Sequence, residues 1–161
     1  MISVDIGGVR FQLRAAAVIV HDESVLLHRL EGDMYWALPG GRIEPGEDAR
    51  ATLAREMQEE IDALVEVDEL LYVVENFFTH AGKPQHELGM YFKTRLQPQS
   101  ALLDKLRTHW GSEGNRKLEF QWFACDQLDN VELHPSFLRT ALAKPVLQFE
   151  HVVQRDTRPV A

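Results

Sequence analysis

Several carboxylates crowd the end of one predicted helix, in the stretch R-E-M-Q-E-E-I-D from Arg55 to Asp62. Glu56 and Glu60 stand four residues apart, where side chains on a helix are neighbours and like charges repel. The negative end of the helix dipole lies there too, so each unfavourable effect costs roughly 0.3–1 kcal/mol. From this helix alone two interpretations stay open. The residues form a solvated acidic face, or they bind a hard cation such as Mg²⁺, which takes oxygen ligands.

The helix that carries these carboxylates is predicted to run from about residue 48 to residue 61. Asp48 suits the N-cap, and Glu47 and Asp48 are acidic residues near the positive end of the dipole. A helical wheel separates two groups of side chains. The predicted apolar stripe comprises Leu53, Ala54, Met57, Ile61 and Leu64, and the acidic sector comprises Glu56, Glu59 and Glu60. The wheel places Glu60 beside the apolar stripe and Glu59 further towards solvent. Arg55 can pair with Glu59, which leaves Glu56 and Glu60 uncompensated.

The loop before the helix, L-P-G-G-R from Leu38 to Arg42, adds a second signal. Glycine has no Cβ, so the backbone at Gly40 and Gly41 can approach a ligand closely. A glycine pair by itself is typical of a simple turn. A glycine pair followed by a capped helix with three carboxylates in one sector is a more specific combination.

This combination resembles the Nudix hydrolase family, and the MutT-like enzymes within it. The family box is G-x5-E-x7-R-E-U-x-E-E-x-G-U, where U is a bulky aliphatic residue. In this chain the box runs from Gly41 to Ala63, and every charged position is present at the family spacing. Asp62 stands in place of the family glycine and Ala63 in place of the last aliphatic residue. Both departures lie at the end of the helix and leave the carboxylates untouched.

The resemblance implies a metal-dependent pyrophosphohydrolase that uses Mg²⁺ or Mn²⁺. Such an enzyme cleaves a phosphoanhydride bond in a nucleoside diphosphate linked to another group. The implied metal site comprises Glu56, Glu60, Glu59 and the backbone of Gly41. The implied catalytic set comprises Glu59, Glu56 and Arg55, with Glu59 either a third metal ligand or the general base. Glu47 is expected to pair with Arg55 and to fix the loop against the helix, and Gly40 is expected to have a structural role.

Further candidate residues lie outside the box. Many members of the family use one more carboxylate from a distant segment, and the candidates are Glu87, Glu113 and Glu119, with Glu113 preferred over Glu87. Arg29 and Arg42 are candidates for phosphate binding, with ordinary surface charge as the alternative. Aromatic residues are candidates for stacking on a base, although core packing is the more common role for such residues. They are Trp36, Phe77 and Phe78. No metal is assigned to His28, His80 or His86.

The rest of the chain predicts one α+β domain over residues 1–161, with a core from about 10 to 145. The resemblance implies a Nudix-type α/β/α sandwich with a mixed central sheet. Alternation and β-branched residues predict strands at 10–20, 25–30, 64–79, 86–96 and 117–125. Residues 97–116 form an interrupted segment, in which S-A-L-L-D-K-L-R is compatible with a short helix and the whole is compatible with a lid. Residues 135–144 predict a second helix, and the tail after Phe149 has no clear assignment.

Composition limits the classes of partner. The 25 acidic residues outnumber the 17 basic ones, which disfavours non-specific nucleic acid binding. A single cysteine, Cys125, fits a reducing compartment, and no apolar run is long enough for a membrane span. With no signal peptide visible at the N-terminus, we expect a cytoplasmic protein, a monomer or homodimer, that acts on a small nucleotide.

The substrate is less well defined by the sequence. The downstream signatures of family members that act on coenzyme A, NADH or diadenosine polyphosphates are not apparent. The proline expected in ADP-ribose enzymes is missing, because Pro84 comes too late. A nucleoside triphosphate or a nucleotide sugar is therefore the expected substrate. The alternative is a Nudix-like module that binds a nucleotide without hydrolysing it, with Asp62 as a mark of decay. The intact carboxylates argue against this alternative.

Overall fold

The structure, a computed structural model, describes residues 1–160. Its strands are β1 (Ser3–Ile6), β2 (Val9–Val18), β3 (Val20–His21), β4 (Ser24–Leu30), β5 (Gly40–Arg42), β6 (Val65–His80), β7 (Lys83–Leu96), β8 (His109–Glu113), β9 (Arg116–Ala124) and β10 (Glu150–Val160). Its helices are α1 (Ala49–Ile61) and α2 (Leu138–Ala141), with 3₁₀ turns at Ala101–Leu103 and Cys125–Asn130. Within the described residues, no helix has the length and apolar character needed to cross a membrane.

The strands form two sheets. In the larger sheet the order is β1-β2-β7-β6-β10, and β5 pairs with β2 beside this path. The β2–β7 and β6–β10 pairs are parallel and the other pairs are antiparallel, so the sheet is mixed as expected. The smaller sheet has the order β3-β4-β9-β8 and its pairs are antiparallel.

Two apolar cores lie on opposite faces of β2, because successive side chains of a strand point to opposite faces. Ala15 packs in one cluster with Leu53 of α1. Ala16, the next residue, packs in the other cluster with Leu138 of α2. Helices therefore cover opposite sides of the sheet, which confirms the expected α/β/α sandwich.

Helix α1 begins and ends as its sequence predicts. The Asp48 side chain accepts a hydrogen bond from the Ala51 amide at 2.9 Å, and Asp62 ends the helix in the left-handed conformation with φ 52° and ψ 41°. The buried face differs from the predicted stripe, since Ala54 is exposed and Leu64 is 66% exposed. The buried residues are Ala49, Thr52, Leu53, Met57 and Glu60. The buried face of the helix therefore includes Glu60 from the acidic sector as well as part of the predicted apolar stripe.

Two segments contain less helix than predicted. The stretch S-A-L-L-D-K-L-R forms only the 3₁₀ turn Ala101–Leu103, and the same interrupted segment supplies strand β8, which the sequence analysis did not predict. In residues 135–144 the α-helix is limited to Leu138–Ala141. The amides of Ala143 and Lys144, just after this helix, bond to the carbonyl three residues back, so the end of the segment consists of tight turns.

The tail after Phe149 forms strand β10, which pairs in parallel with β6. Val152 packs against the core on the α2 side, and near the other end of the chain Ile2 packs against the core on the α1 side. Residues outside the predicted core of 10–145 therefore contribute to the packing.

Candidate active site

Glu56 lies directly against the backbone of Gly41. A Cβ added to Gly41 would lie 2.3 Å from Cδ of Glu56 and 2.4 Å from its Oε1. Pairing of β5 with β2 fixes Gly41 opposite Ala15, so the sheet and helix α1 together define this contact. Only glycine at this position lets the carboxylate approach the backbone so closely.

Glu60 is buried, with 5% of its surface exposed, and its Oε2 has no hydrogen-bond partner among the described residues. The nearest basic group is Nδ1 of His28 at 3.9 Å, which is too far for a hydrogen bond. Burial raises the pKa of Glu60 well above its ordinary value, and the charges of Glu56 and Glu113 raise it further. Burial also lowers the pKa of His28 to about 3, so that imidazole is neutral.

Arg55 joins the loop to the helix, as expected for this pair. Its Nε and Nη2 donate to the two carboxylate oxygens of Glu47 at 2.8 and 2.9 Å, and its Nη1 lies 2.9 Å from Oε1 of Glu56. Thr52 donates to Glu47 as well, at 2.5 Å. These hydrogen bonds, led by those from Arg55 and Thr52, lower the pKa of Glu47 to about 2. Arg55 thus contacts both Glu47 of the loop and Glu56 of the helix.

Glu59 differs from its two neighbours in exposure. Its side chain is 60% exposed, and its only ion pair within residues 1–160 is with Arg55 at 3.3 Å. The wheel places Glu60 beside the apolar stripe and Glu59 further towards solvent, and the two exposures agree with that order. Glu59 is thus an exposed carboxylate beside two carboxylates that are less open to solvent.

Two further glycines set distances around the carboxylates. A Cβ on Gly40 would lie 2.1 Å from the Ala15 carbonyl oxygen. Because glycine has no Cβ, β5 can pair closely with β2 at this position. A Cβ on Gly111 would lie 2.1 Å from the Glu60 carbonyl oxygen. Gly111 therefore lets β8 pack against the end of α1, and this contact brings Glu113 near Glu60.

A cavity of about 290 Å³ opens beside this cluster. Gly40, Arg42, His28 and Glu113 lie in its wall and connect it with the carboxylates of α1. Deeper in the wall are polar residues from the larger sheet, and these are Gln12, Arg14, Asn76, Gln85 and Glu87. The cavity is large enough for part of a nucleotide.

The three distant carboxylates occupy different environments. Glu113 ends strand β8, not a mobile loop, and its charge acts on Glu60. Glu87 is 7% exposed in the cavity wall and accepts a hydrogen bond from Gln12 at 2.7 Å. Burial raises the pKa of Glu87, while Arg14 and the amides of Gln12 and Asn76 oppose the rise. Glu119 is paired with Arg29 at 2.9 Å.

The predicted phosphate-binding arginines both line the cavity. Arg29 is engaged by Glu119, and its guanidinium lies 4.2 Å from the centre of the Trp36 ring. Arg42 is held near the chain start, with Nη1 3.0 Å from Sδ of Met1. Arg14, which the sequence analysis did not select, donates to the Leu38 carbonyl at 3.0 Å, and its charge opposes the pKa rise of Glu60.

Among the aromatic candidates, Trp36 is 7% exposed and belongs to the core. Phe77 packs on His86, with ring centres 4.5 Å apart, and Phe78 lines the cavity. Gln12 and Arg14 also line the cavity, and they were not predicted from the sequence as candidate site residues. Their signal was the alternation F-Q-L-R-A-A-A-V, in which two polar residues share one face of an otherwise apolar strand.

The donor set fits a cation that keeps water and substrate ligands. Among residues 1–160, no three His, Cys, Asp or Glu side chains converge closely enough to hold a metal alone. Glu56 nevertheless lies close enough to Glu60 for its charge to raise the pKa of Glu60, and Oε2 of Glu60 lacks a partner in the described residues. Mg²⁺ is commonly bound by one or two carboxylates plus water and phosphate, so these residues suit it.

Comparison with known proteins gives a family match and several similar solved structures. The model of the NUDIX domain matches residues 11–144. An ADP-ribose pyrophosphatase from Streptococcus suis superposes with a TM-score of 0.59 at 18% identity, over 89% of this chain and 98% of that one. A NUDIX hydrolase from Nitrosomonas europaea gives a TM-score of 0.63 at 21% identity, over 90% and 79%.

A MutT NUDIX hydrolase from Burkholderia pseudomallei gives a TM-score of 0.59 at 23% identity, over 84% of this chain and 98% of that one. At these identities the likeness establishes the fold. The residues matched by the family model cover most of the chain. The chain therefore belongs to the Nudix hydrolase family, and it is a pyrophosphohydrolase acting on phosphorus-containing acid anhydrides.

Proposed function

We propose that this enzyme hydrolyses, with Mg²⁺ or Mn²⁺, a nucleoside diphosphate linked to another group. The observation that supports this most is the unpartnered Oε2 of buried Glu60, beside Glu56 and next to a cavity. A buried carboxylate without a partner is costly to the fold, and a bound cation would remove that cost.

In this proposal Glu56, Glu60 and the Gly41 carbonyl hold the cation. When bound, the cation polarises phosphate oxygens and lowers the pKa of a bound water. Arg55 fixes the Glu56 carboxylate through its 2.9 Å contact, and Glu47 in turn fixes Arg55. Three carboxylates surround the site and would repel a phosphate chain. This repulsion supports a requirement for a cation when the substrate binds.

Glu59 and Glu113 are the candidates for accepting a proton from the attacking water. Both are exposed at the edge of the cluster, and Glu113 also lines the cavity. Glu59 keeps the alternative role of a third metal ligand. Glu87 is less suited to proton transfer, because its carboxylate already accepts a hydrogen bond from Gln12.

The proposed substrate is a nucleoside triphosphate or a nucleotide sugar. Arg14, Arg29 and Arg42 line the cavity and supply positive charge for phosphate oxygens. Phosphoryl transfer depends mainly on such positioning and charge neutralisation. The remaining polar wall of the cavity is suited to hold the nucleoside or the linked group.

A substrate panel tests the proposal. Nucleoside triphosphates and nucleotide sugars are incubated with Mg²⁺, with Mn²⁺ or with chelator, and released phosphate or pyrophosphate is followed. We expect turnover of at least one member only with metal. Micromolar binding without turnover of any member would contradict the proposal.

The substitution Glu60→Gln tests the metal site directly. It removes a ligand charge at constant shape, so we expect kcat to fall at least about 100-fold. Metal-free protein should melt at the same or a higher temperature, because glutamine keeps the shape of the side chain without a buried ionisable carboxyl group beside Glu56. Glu69→Gln, at an exposed glutamate of β6, is the control and should change neither quantity. Full activity of Glu60→Gln would overturn the assignment of this ligand.

A further inference from the structure

Three polar side chains lie in one row across the larger sheet. Gln12 of β2 is the register partner of Glu87 of β7, and Glu87 is in turn the partner of Asn76 of β6. Partners in register share a face, so the row crosses the sheet in a line. All three residues line the cavity, and their exposed fractions are 5%, 7% and 6%. We call Gln12, Glu87 and Asn76 the polar row.

The row contains two acceptors without a partner in the described part of the chain. Oε1 of Gln12 and Oδ1 of Asn76 are buried and accept no hydrogen bond. Buried polar atoms in proteins are almost always paired, so each of these oxygens requires an explanation. The location of both residues in a cavity wall points to a ligand as the missing partner.

Glu87 determines which end of each amide is left free. An oxygen of the Glu87 carboxyl group that carries no proton accepts hydrogen bonds, so a neighbouring amide turns its NH₂ group towards it. Gln12 does this, donating to Oε2 of Glu87 at 2.7 Å. The amide of Asn76 also acts on Glu87, since it opposes the rise of the Glu87 pKa. Oε1 of Gln12 is consequently left to accept, and Oδ1 of Asn76 is likewise without a partner in the described residues.

We propose that the polar row is a specificity site that selects a substrate group by its N–H or O–H donors. The proposal rests on the proposed function, because it assumes that the phosphates lie near Glu56 and Glu60. The nucleoside or the linked group then occupies the cavity beyond Gly40 and Arg42. An amino group of a base and a hydroxyl of a sugar share the required chemistry.

The site discriminates between ligands because a ligand without the donor leaves a buried acceptor oxygen with no hydrogen bond. A ligand with a donor satisfies a buried oxygen, whereas an analogue without the donor leaves it unpaired after water is excluded. Sites of this kind reject analogues that lack the donor far better than apolar pockets reject an extra group. The row thus favours donor-bearing groups.

The test compares ligands that differ by one donor, and binding is measured by calorimetry on the whole chain. The amino arm uses AMP against purine riboside 5′-monophosphate, and GMP against IMP. The hydroxyl arm uses AMP and UMP against their 2′-deoxy forms, and glucose 1-phosphate against 2-deoxyglucose 1-phosphate. We expect the donor-bearing member of at least one pair to bind about tenfold more tightly or better. The arm that discriminates identifies the source of the donor.

Variants of the row must remove this preference. In Asn76→Leu or Gln12→Leu the ratio should fall below about threefold, because an acceptor is lost. Gln127→Leu is the control, since Gln127 is exposed in the 3₁₀ turn Cys125–Asn130 and lies outside the cavity wall. Its ratio should equal that of the wild type. Should the leucine variants fail to fold, the isosteric Glu87→Gln is used, because its amide can donate to one of the acceptors and weaken the preference.

The outcomes separate this inference from the proposed function. If no wild-type pair differs by more than about threefold, or if the preference survives in the row variants, the specificity site is wrong even when the enzyme turns over. If the preference is present and depends on the row, but no substrate of the panel is hydrolysed, the site stands and the proposed hydrolysis fails.

Discussion

Glu60 occupies a position where the fold favours an apolar side chain and the proposed metal site requires a carboxylate. Helix α1 needs an apolar residue on its core side, yet this position carries a carboxylate that is 5% exposed. An unpaired buried charge destabilises a fold, so such residues are concentrated at functional sites. His28 does not compensate, because its imidazole is neutral and 3.9 Å away.

Glu47 provides a test at the residue scale through pH. Its pKa is lowered from 4.5 to about 2 by hydrogen bonds from Arg55 and Thr52. A lowered pKa stabilises the fold above the unfolded value, and this contribution is lost as pH falls from about 4.5 towards about 2. We expect Glu47→Gln to be less stable at pH 7 and to lose less stability on acidification. Urea melts from pH 7 to pH 3 measure both quantities.

The control for this experiment is Glu66→Gln on β6, where the exposed carboxylate pairs with Arg95 at the surface. Exposed pairs contribute little, so its acid profile should follow that of the wild type. If Glu47→Gln were as stable as the wild type at pH 7, the pair with Arg55 would have no role in holding the loop on the helix.

At the scale of elements, the end of helix α1 carries an unfavourable residue. Asp62 has φ 52° and ψ 41°, a left-handed conformation that glycine adopts without strain. Its charge also opposes the helix dipole, although its carboxylate accepts a hydrogen bond from Gln58. We expect Asp62→Gly to stabilise the protein by about 0.5–2 kcal/mol and to leave kcat nearly unchanged. Denaturant melts and steady-state kinetics measure the two effects.

Asp62→Asn is the matched variant, because asparagine tolerates the left-handed conformation and carries no charge. It separates the charge effect from the backbone effect. A loss of more than about 1 kcal/mol in Asp62→Gly would show that the bond to Gln58 outweighs both.

The segment between β7 and β8 is a packed element, which argues against the expected lid. Leu102 is 4% exposed in the core, its carbonyl accepts from the Trp122 indole at 2.7 Å, and Leu106 is 98% exposed. We expect Leu102→Ala to cost about 2–5 kcal/mol and Leu106→Ala to cost less than about 0.5 kcal/mol. Urea melts of the two variants test this, and equal effects would contradict the packing.

At the scale of the whole molecule, strand β10 closes the larger sheet beside β6. Val152 packs against the core, and Oε1 of Gln154 accepts a hydrogen bond from the Phe137 amide at 3.1 Å. We expect a chain shortened after Phe149 to lose about 2 kcal/mol or more, which lowers the melting temperature by about 4–8 °C. A thermal melt within about 1 °C of the full chain would contradict this. Val153→Ala, at a 51% exposed position of β10, is the control and should change little.

The sequence by itself predicted the elements whose signals are local. The box spacing identified helix α1, its cap at Asp48 and the carboxylates that it presents. Alternation identified most strands, and the family resemblance supplied the α/β/α sandwich, which the structure confirms. For residues 135–144 the sequence pattern did not distinguish a regular helix from tight turns, because i to i−3 turns and a regular helix share the same apolar spacing.

The tertiary structure alone decided which distant residues meet. Asn76 and Glu87 face each other across the β6–β7 hairpin, but Gln12 is 75 residues away from Glu87 in the chain, and only the pairing of β2 with β7 places it beside them. It also decided the burial of Glu60, since the helix turns its acidic border, not only its apolar stripe, towards the core. Local patterns encode the helix and its charges because neighbours along the chain are fixed by covalent geometry. Partners across a sheet depend on register and strand order, which no local pattern specifies.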